Sequence, residues 1–137
     1  MKVRVSKTAA AYFRKLARDA HPKEVQAFLI GRVVSPNLTI VDEWRYPKKY
    51  KTQTPVEVEW DQGEYAALID EMLVQGTRLV GDCHSHCEWD AVMSPCDYKG
   101  HVAEGFRVAG ICSVIGRRTR LRFWIAESAL PVEIEYV

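Results

Sequence analysis

The stretch that decides the fold and the chemistry of this protein is GDCHSHCEWDAVMSPCD, residues 81–97. It brings two histidines, three cysteines and four acidic residues into seventeen positions. All of these side chains can ligate metal ions, and histidine and cysteine are common zinc ligands. Residues 78–84 have the composition of a buried strand, and residues 94–97 have the hydroxyl, proline and acid that begin a helix. The stretch therefore predicts a strand, a loop and a helix that carry a metal site.

One interpretation of this stretch is the zinc site of a nucleobase deaminase. His86-Cys87-Glu88 fits the His-x-Glu half of that signature, and Pro95-Cys96 begins the Pro-Cys-x-x-Cys half. The second cysteine is missing, because Lys99 occupies its position, and only eight residues separate His86 from Pro95. The spacing therefore argues against a deaminase.

A structural zinc site is the second interpretation, with ligands drawn from Cys83, Cys87, Cys96 and the two histidines. Structural sites usually take pairs of ligands from two separate segments of the chain, whereas these candidates all lie within fourteen residues. Free cysteines in apolar segments usually behave as small buried hydrophobic residues. We expect this of Cys83 and of the fourth cysteine, Cys112.

The third interpretation uses His84, His86 and Asp97. Residues two apart on a strand project to the same face, so both imidazoles can reach one point, which Asp97 approaches from the following helix. Two nitrogens and one carboxylate oxygen, with a fourth position for water, form the arrangement of a catalytic zinc, which lowers the pKa of water to about 7. Hydrolysis of an amide also needs a proton carrier and a donor to the oxyanion. Glu24, at the start of a predicted strand, and Ser94 are the candidates for these two tasks.

The remaining sequence predicts an α+β fold. Apolar residues recur at helical spacing over 9–20, with Ser6 as N-cap, and over 61–75, with Gly76 as the stop. Strands are predicted at 25–34, 38–44, 56–60, 78–84, 108–115, 121–126 and 132–137, and a polar loop at 46–55. We expect an α/β sandwich in which a mixed, mostly antiparallel sheet of about six strands is flanked by two helices, with a short helix after the metal motif.

Length and composition limit the possible partners. The 137 residues fit one domain, 1–137. A net charge of +1 predicts neither a nucleic-acid nor a membrane partner. No apolar run reaches signal-peptide length near the start or the roughly 18 residues of a membrane span elsewhere, so we expect a cytoplasmic location. The two other histidines, His21 and His101, are expected to be surface or capping residues.

Together, Glu24, His84-Ser85-His86, Ser94 and Asp97 resemble the JAMM signature of the MPN-plus (JAB-domain) zinc metalloprotease family. The segment HPKEVQAFLIG, 21–31, is similar to the end of the family's first helix and its first strand, and RLVGDCHSH, 78–86, is similar to its strand that leads to the ligands. The resemblance implies a JAMM-type metallopeptidase or isopeptidase with one Zn²⁺ per chain. In it His84, His86 and Asp97 would hold zinc, Glu24 would act as general base and then acid, and Ser94 would donate a hydrogen bond to the intermediate.

Two departures from the family pattern bear on the substrate. Cys87 stands where the family usually has proline, and the long insertions of eukaryotic deubiquitinating members are absent, so the chain resembles compact prokaryotic, archaeal or viral members. The resemblance implies a protein or peptide substrate, with the C-terminus of a ubiquitin-like or sulfur-carrier protein as one class. The alternating segment 55–60 is a candidate edge to which an extended peptide adds as a strand. The alternative function is a catalytically silent MPN-like scaffold that binds proteins; such scaffolds typically lose one or more of these residues.

Overall fold

The computed structural model describes the backbone of residues 1–137 and every side chain except that of Val102. Within these residues the chain forms three helices and nine strands. The helices are α1 (Lys7–Ala20), α2 (Gln62–Gln75) and α3 (Pro95–Glu104). The strands are β1 (Lys2–Val5), β2 (Gln26–Ser35), β3 (Leu38–Arg45), β4 (Tyr50–Gln53), β5 (Val58–Trp60), β6 (Arg78–Cys87), β7 (Val108–Ile115), β8 (Arg118–Ile125) and β9 (Pro131–Tyr136).

Seven of the strands close into one barrel in the order β1-β3-β2-β6-β7-β8-β9, with β9 pairing back onto β1. Neighbouring strands are antiparallel at β2–β3, β2–β6, β7–β8 and β8–β9. They are parallel at β1–β3, β1–β9 and β6–β7. Strands β4 and β5 form a separate two-stranded sheet. The mixed sheet and the three helices agree with the prediction.

The sheet differs from the prediction in three respects. The sandwich of about six strands is wrong, because the sheet is a closed barrel of seven. Strand β1 was not predicted, since four residues give too little alternation and both of its partners are distant in sequence. Segment 46–55 is not entirely a loop, because Tyr50–Gln53 pairs with β5. Its polar composition gives no signal of a strand, and the strand forms because it pairs with β5.

The two long helices begin and end where the sequence predicts. The Ser6 hydroxyl accepts the Ala9 N–H at 3.2 Å and caps α1. The Asp61 carboxylate caps α2 by accepting the Glu64 N–H, and Gly76 ends that helix in the left-handed conformation with φ +67°. No helix in the described chain is long and apolar enough to cross a membrane.

Two apolar clusters hold these elements together. The main cluster joins the buried face of α1 to the inner faces of the barrel strands, and Phe13 and Phe123 are its largest members. Cys83 and Cys112 are fully buried in it, which confirms the expectation for these two cysteines. A second cluster, which includes Phe28, joins α2 and β5 to β2. The candidate metal ligands His84 and His86 therefore lie on a strand that is anchored in the main core.

The side chains of strand β6 point alternately into the barrel core and out of it. The strand pairs with β2 on one side and with β7 on the other. A Cβ atom at Gly81 would lie 2.0 Å from the carbonyl oxygen of Val108 on β7, so only glycine permits this approach of the two backbones. Beyond Gly81 the side chains alternate: Cys83 packs inside the barrel, and His84 and His86 line an outer cavity.

The Gly81→Ala substitution is expected to destabilise the fold by about 2 kcal/mol or more, because the new methyl group meets backbone that cannot move aside cheaply. Gly100→Ala is the matched control. Gly100 lies inside α3 with open space around it, so alanine should raise the free energy of unfolding by about 0.5–1 kcal/mol. Urea unfolding of both variants measures the difference, and equal effects would contradict this role for Gly81.

Candidate metal centre and active site

Three potential ligand side chains from β6 and α3 meet at one point. His84 Nε2 lies 3.1 Å from His86 Nε2, and the two carboxylate oxygens of Asp97 lie 3.2 Å from His84 Nε2 and 3.1 Å from His86 Nε2. His84 and His86 are buried, and the Asp97 side chain is largely buried. The structure therefore brings together the three residues for which the sequence predicts zinc ligation.

Asp97 reaches this point because of the way in which α3 begins. The Asp97 N–H donates to the Ser94 hydroxyl oxygen, and the Ser94 N–H donates to Asp97 Oδ2, both at 3.0 Å. This reciprocal pair is a capping box that fixes the first turn of the helix. The same bonds orient the Asp97 carboxylate toward the histidines. Because the Ser94 oxygen acts as acceptor here, its O–H hydrogen is free to donate elsewhere.

The loop after β6 fixes the orientation of His86. A carbonyl oxygen can only accept a hydrogen bond, so the contact of 2.8 Å to the Asp90 carbonyl means that His86 Nδ1 carries the hydrogen. The lone pair of His86 Nε2 therefore faces the other two ligand atoms. Trp89 stacks on the His86 ring with centroids 3.7 Å apart and planes 4° apart. The tautomer and the plane of this imidazole are thus both fixed by neighbours.

The donor set and its spacing fit a tetrahedral zinc. Zinc–ligand bonds of about 2.0–2.1 Å in tetrahedral geometry place ligand atoms about 3.3 Å apart. This is close to the 3.1 Å between the two Nε2 atoms and to the 3.1–3.2 Å from each Nε2 atom to an oxygen of Asp97. Nitrogen and carboxylate donors are also the types that catalytic zinc uses. With three protein ligands, a fourth position would remain for water or substrate.

The charges of the site favour a cation. Burial opposes a positive charge on His84, but its hydrogen bond with Asp97 and the charges of Asp97, Asp82 and Glu24 outweigh that effect and raise the pKa of His84 to about 9. Burial would raise the pKa of Asp97, but its hydrogen bond with His84, its contact with His86 and the charge of His84 hold that pKa well below its usual range. A metal cation at this site would therefore compete with a proton for His84.

Glu24 borders the same cavity, which has a volume of about 400 Å³ and is also lined by His84, His86, Ser94 and Asp97. The residue is only 3% exposed, and burial raises the pKa of its carboxyl group to about 7. The next residue, Val25, donates its N–H to the Ser85 hydroxyl at 2.9 Å and accepts the Ser85 N–H at 3.0 Å. These two bonds hold the Glu24 segment beside the His84-Ser85-His86 strand.

The cysteines near the motif take no part in this cluster. Among the described residues, no sulfur atom belongs to a group of three possible ligands within 4.8 Å of one another. Burial raises the pKa of the Cys87 thiol to about 11, so at neutral pH it is protonated and a poor ligand. Cys96 is exposed at the cavity, on the first turn of α3.

His101 was expected at the surface or as a cap, and this expectation is wrong. It is 5% exposed, lines the cavity, and donates from Nε2 to Asp82, which is itself 4% exposed. Burial opposes both charges, but each partner's charge outweighs it, so the pKa of Asp82 falls and the pKa of His101 rises. The sequence did contain a signal for this position of His101. Asp82 precedes His84 by two residues on a strand and His101 follows Asp97 by four on a helix, so each lies on the same face as a predicted ligand.

The chain belongs to the family of prokaryotic homologs of the JAB domain, which it matches over residues 6–126. No curated protein matches the sequence. Solved structures with the same fold include that of protein DSY2949 from Desulfitobacterium hafniense, with a TM-score of 0.74 and 22% identity over 100% of this chain and 93% of that one.

Two further structures show the same fold. The JAB1/MPN domain protein AF2198 from Archaeoglobus fulgidus has a TM-score of 0.62 and 17% identity, over 100% of this chain and 97% of that one. A protein from Salinibacter ruber has a TM-score of 0.60 and 25% identity, over 100% and 90%. Family membership and fold therefore agree with the resemblance that the motif residues carry.

The pKa of Glu24 predicts how the Glu24→Gln variant differs from the wild type in stability. The folded-state pKa of about 7 exceeds the ordinary value of 4.5, so folding favours the protonated carboxyl group, and wild-type stability falls as pH rises through this interval. Glutamine mimics the neutral form at every pH. In metal-free protein, Glu24→Gln should therefore gain up to about 3 kcal/mol over the wild type between pH 4 and pH 8, since one pKa unit is worth about 1.4 kcal/mol.

Urea unfolding at several pH values, in the presence of a chelator, measures this gain. Glu133→Gln removes an exposed carboxylate from β9 and controls for the loss of one charge. A difference between Glu24→Gln and wild type that stays constant with pH would refute the proposed burial of an ionisable Glu24.

Proposed function

We propose that this protein is a JAMM-type zinc metallopeptidase or isopeptidase, which hydrolyses peptide or isopeptide bonds. The observation that carries the proposal is the convergence of His84, His86 and Asp97 within 3.2 Å of one another at a cavity that Glu24 and Ser94 also line. These three side chains would hold one Zn²⁺. The ion would supply Lewis acidity, which polarises a carbonyl group and lowers the pKa of water to about 7.

In this proposal Glu24 carries the proton. A general base works best when its pKa is close to the operating pH, and burial gives Glu24 a pKa of about 7. A carboxylate oxygen of Glu24 would take a proton from the attacking water and return it to the nitrogen of the leaving amine. Because Ser85 fixes the neighbouring Val25 through two hydrogen bonds, the backbone that presents Glu24 is held in place.

Ser94 is proposed to stabilise the negative charge that develops on the carbonyl oxygen. Its oxygen accepts the Asp97 N–H, so its O–H hydrogen remains available for that oxygen. A donor that is already oriented by a helix cap needs little reorganisation during the reaction. Trp89, stacked on His86, would cover one side of the site and limit the access of bulk water.

Zinc content and turnover test the proposal together. Elemental analysis of the purified wild type should find about one zinc per chain, and the His84→Ala/His86→Ala variant should retain almost none. Glu24→Gln should keep the zinc but lose turnover by about 10²- to 10⁴-fold, the usual range for a lost general base. Turnover is measured as release of a C-terminal extension from ubiquitin-like and sulfur-carrier protein fusions.

The outcomes also separate the enzyme from its alternative. Wild-type protein that binds no zinc and cleaves none of the fusions, yet binds one of them, would be an MPN-like scaffold instead. Full activity of Glu24→Gln would remove Glu24 as the proton carrier while leaving the metal centre intact.

We further propose that the substrate is an extended protein tail, such as the C-terminus of a ubiquitin-like or sulfur-carrier protein, and that it adds to β5 as a strand. β5 pairs only with β4 among the described strands, and residues 56–60 line the cavity. The Thr54 N–H donates to the Glu57 carbonyl at 2.8 Å. In an antiparallel ladder the next pair, Gln53 and Val58, is then a non-hydrogen-bonded pair, so the backbone groups of Val58 point toward the open edge.

Val58→Pro tests this edge. Proline removes one N–H from the open edge, and it spares the hydrogen bonds between β4 and β5, so the KM for the fusion should rise by about 3- to 10-fold, as expected for one lost hydrogen bond. The matched control Val58→Ala keeps the N–H and should leave KM within about twofold of the wild type. Equal KM values for the two variants, with both correctly folded, would argue against strand addition at β5.

A further inference from the structure

The cavity contains a second buried layer of polar residues behind the candidate metal centre. Asp82 Oδ1 accepts a hydrogen bond from His101 Nε2, and Asp82 Oδ2 accepts one from Gln26 Nε2 at 2.6 Å. Asp82 and His101 are 4% and 5% exposed. A hydrogen-bonded pair that is this far from solvent holds its partners in one geometry, because its separation would leave buried polar groups without a hydrogen-bond partner.

The residues of this layer lie on the same three chain segments as the residues of the site. On β6, Asp82 lies two residues before His84. On α3, His101 lies four residues after Asp97, one turn along the same face of the helix. Gln26 begins β2, two residues after Glu24. Each of the three segments thus contributes to the site and also gives one side chain to the layer behind it.

The layer is not itself a second metal site. Asp82, His84 and His101 do have ligand atoms within 4.8 Å of one another. Both oxygens of Asp82 are already hydrogen-bonded, however, and His101 Nε2 is used in one of those bonds. The contact between Asp82 and His101 is direct, which leaves no room for an ion between the two side chains.

We propose that the Asp82–His101 pair, supported by Gln26, is a positioning device that sets the distance between β6 and α3 and thereby holds the Asp97 carboxylate against His84 and His86. The proposal rests on the proposed function, because it assumes that these three side chains bind zinc. It assigns Asp82 and His101 no contact with the metal or the substrate. The capping box at Ser94 orients Asp97 locally, whereas the buried pair fixes the whole helix that carries it.

The test compares zinc affinities, measured by competition with a chromophoric chelator. His101→Phe keeps a ring but cannot donate to Asp82, so it should weaken zinc binding by about 10- to 100-fold, the usual effect of losing a group that orients ligands. His101→Gln retains a donor and should recover most of the affinity. Tyr98→Phe is the matched control: it removes another hydrogen bond of α3, from the Tyr98 hydroxyl to the Glu127 carbonyl at 2.6 Å, in the loop between β8 and β9. It should bind zinc as the wild type does.

Cobalt spectroscopy separates positioning from a general loss of stability. If the pair only stabilises the fold, His101→Phe lowers the melting temperature of the metal-free and metal-bound protein equally and leaves the Co²⁺ absorption spectrum unchanged. If the pair positions Asp97, the spectrum changes and the stabilisation by metal shrinks, because that stabilisation depends on the dissociation constant. Asp82→Asn provides a second variant should His101→Phe fail to fold.

The outcomes have distinct meanings. Wild-type protein that binds no zinc overturns the proposed function. Wild-type binding of one zinc, with unchanged affinity and spectrum in His101→Phe and Asp82→Asn, overturns the positioning role alone. Two zinc ions per wild-type chain, falling to one in His101→Phe, would also overturn it, since the layer would then be a metal site.

Discussion

The alternation of side chains along β6 is the constraint on which the rest of the molecule depends. One face of this strand packs Cys83 into the barrel core, and the other directs His84 and His86 into the cavity. A slip of one residue in its pairing would exchange the two faces and place two imidazoles in an apolar core. The pairing is held on both sides, by β2 and by β7, and Gly81 permits the close approach to β7.

The candidate metal centre combines a local device with a tertiary one. The capping box of Ser94 and Asp97 is local, and it both begins α3 and orients a carboxylate. The buried contact between Asp82 and His101 is tertiary, because it joins the strand to the helix. A cap alone orients one turn and cannot fix the distance of the helix from the strand. A site that needs three side chains in contact within 3.2 Å of one another therefore uses both devices.

Fold and chemistry are separable in this protein. The barrel is shared with structures that are 17–25% identical in sequence, so many sequences can form it. Membership of the JAB-domain family describes the scaffold, whereas the chemistry depends on a few side chains in one cavity. The scaffold also buries Glu24 and thereby raises its pKa. The fold can thus change the acidity of a side chain even though it does not require a glutamate at that position.

The sequence by itself determined the features that depend on local periodicity. The spacing of His84 and His86 implies a common face, the Ser94-x-x-Asp97 spacing implies a cap, and the helical repeats locate α1 and α2. Only the tertiary structure decided that β1 closes a barrel, since Lys2 pairs with Leu38 and Glu133. It also decided that His101 is buried, because the spacing places His101 on the Asp97 face of α3 but does not show that a carboxylate on a distant strand accepts its hydrogen bond. Local patterns arise from backbone geometry within a few residues, whereas barrel closure and buried charge pairs require partners that only the folded chain brings together.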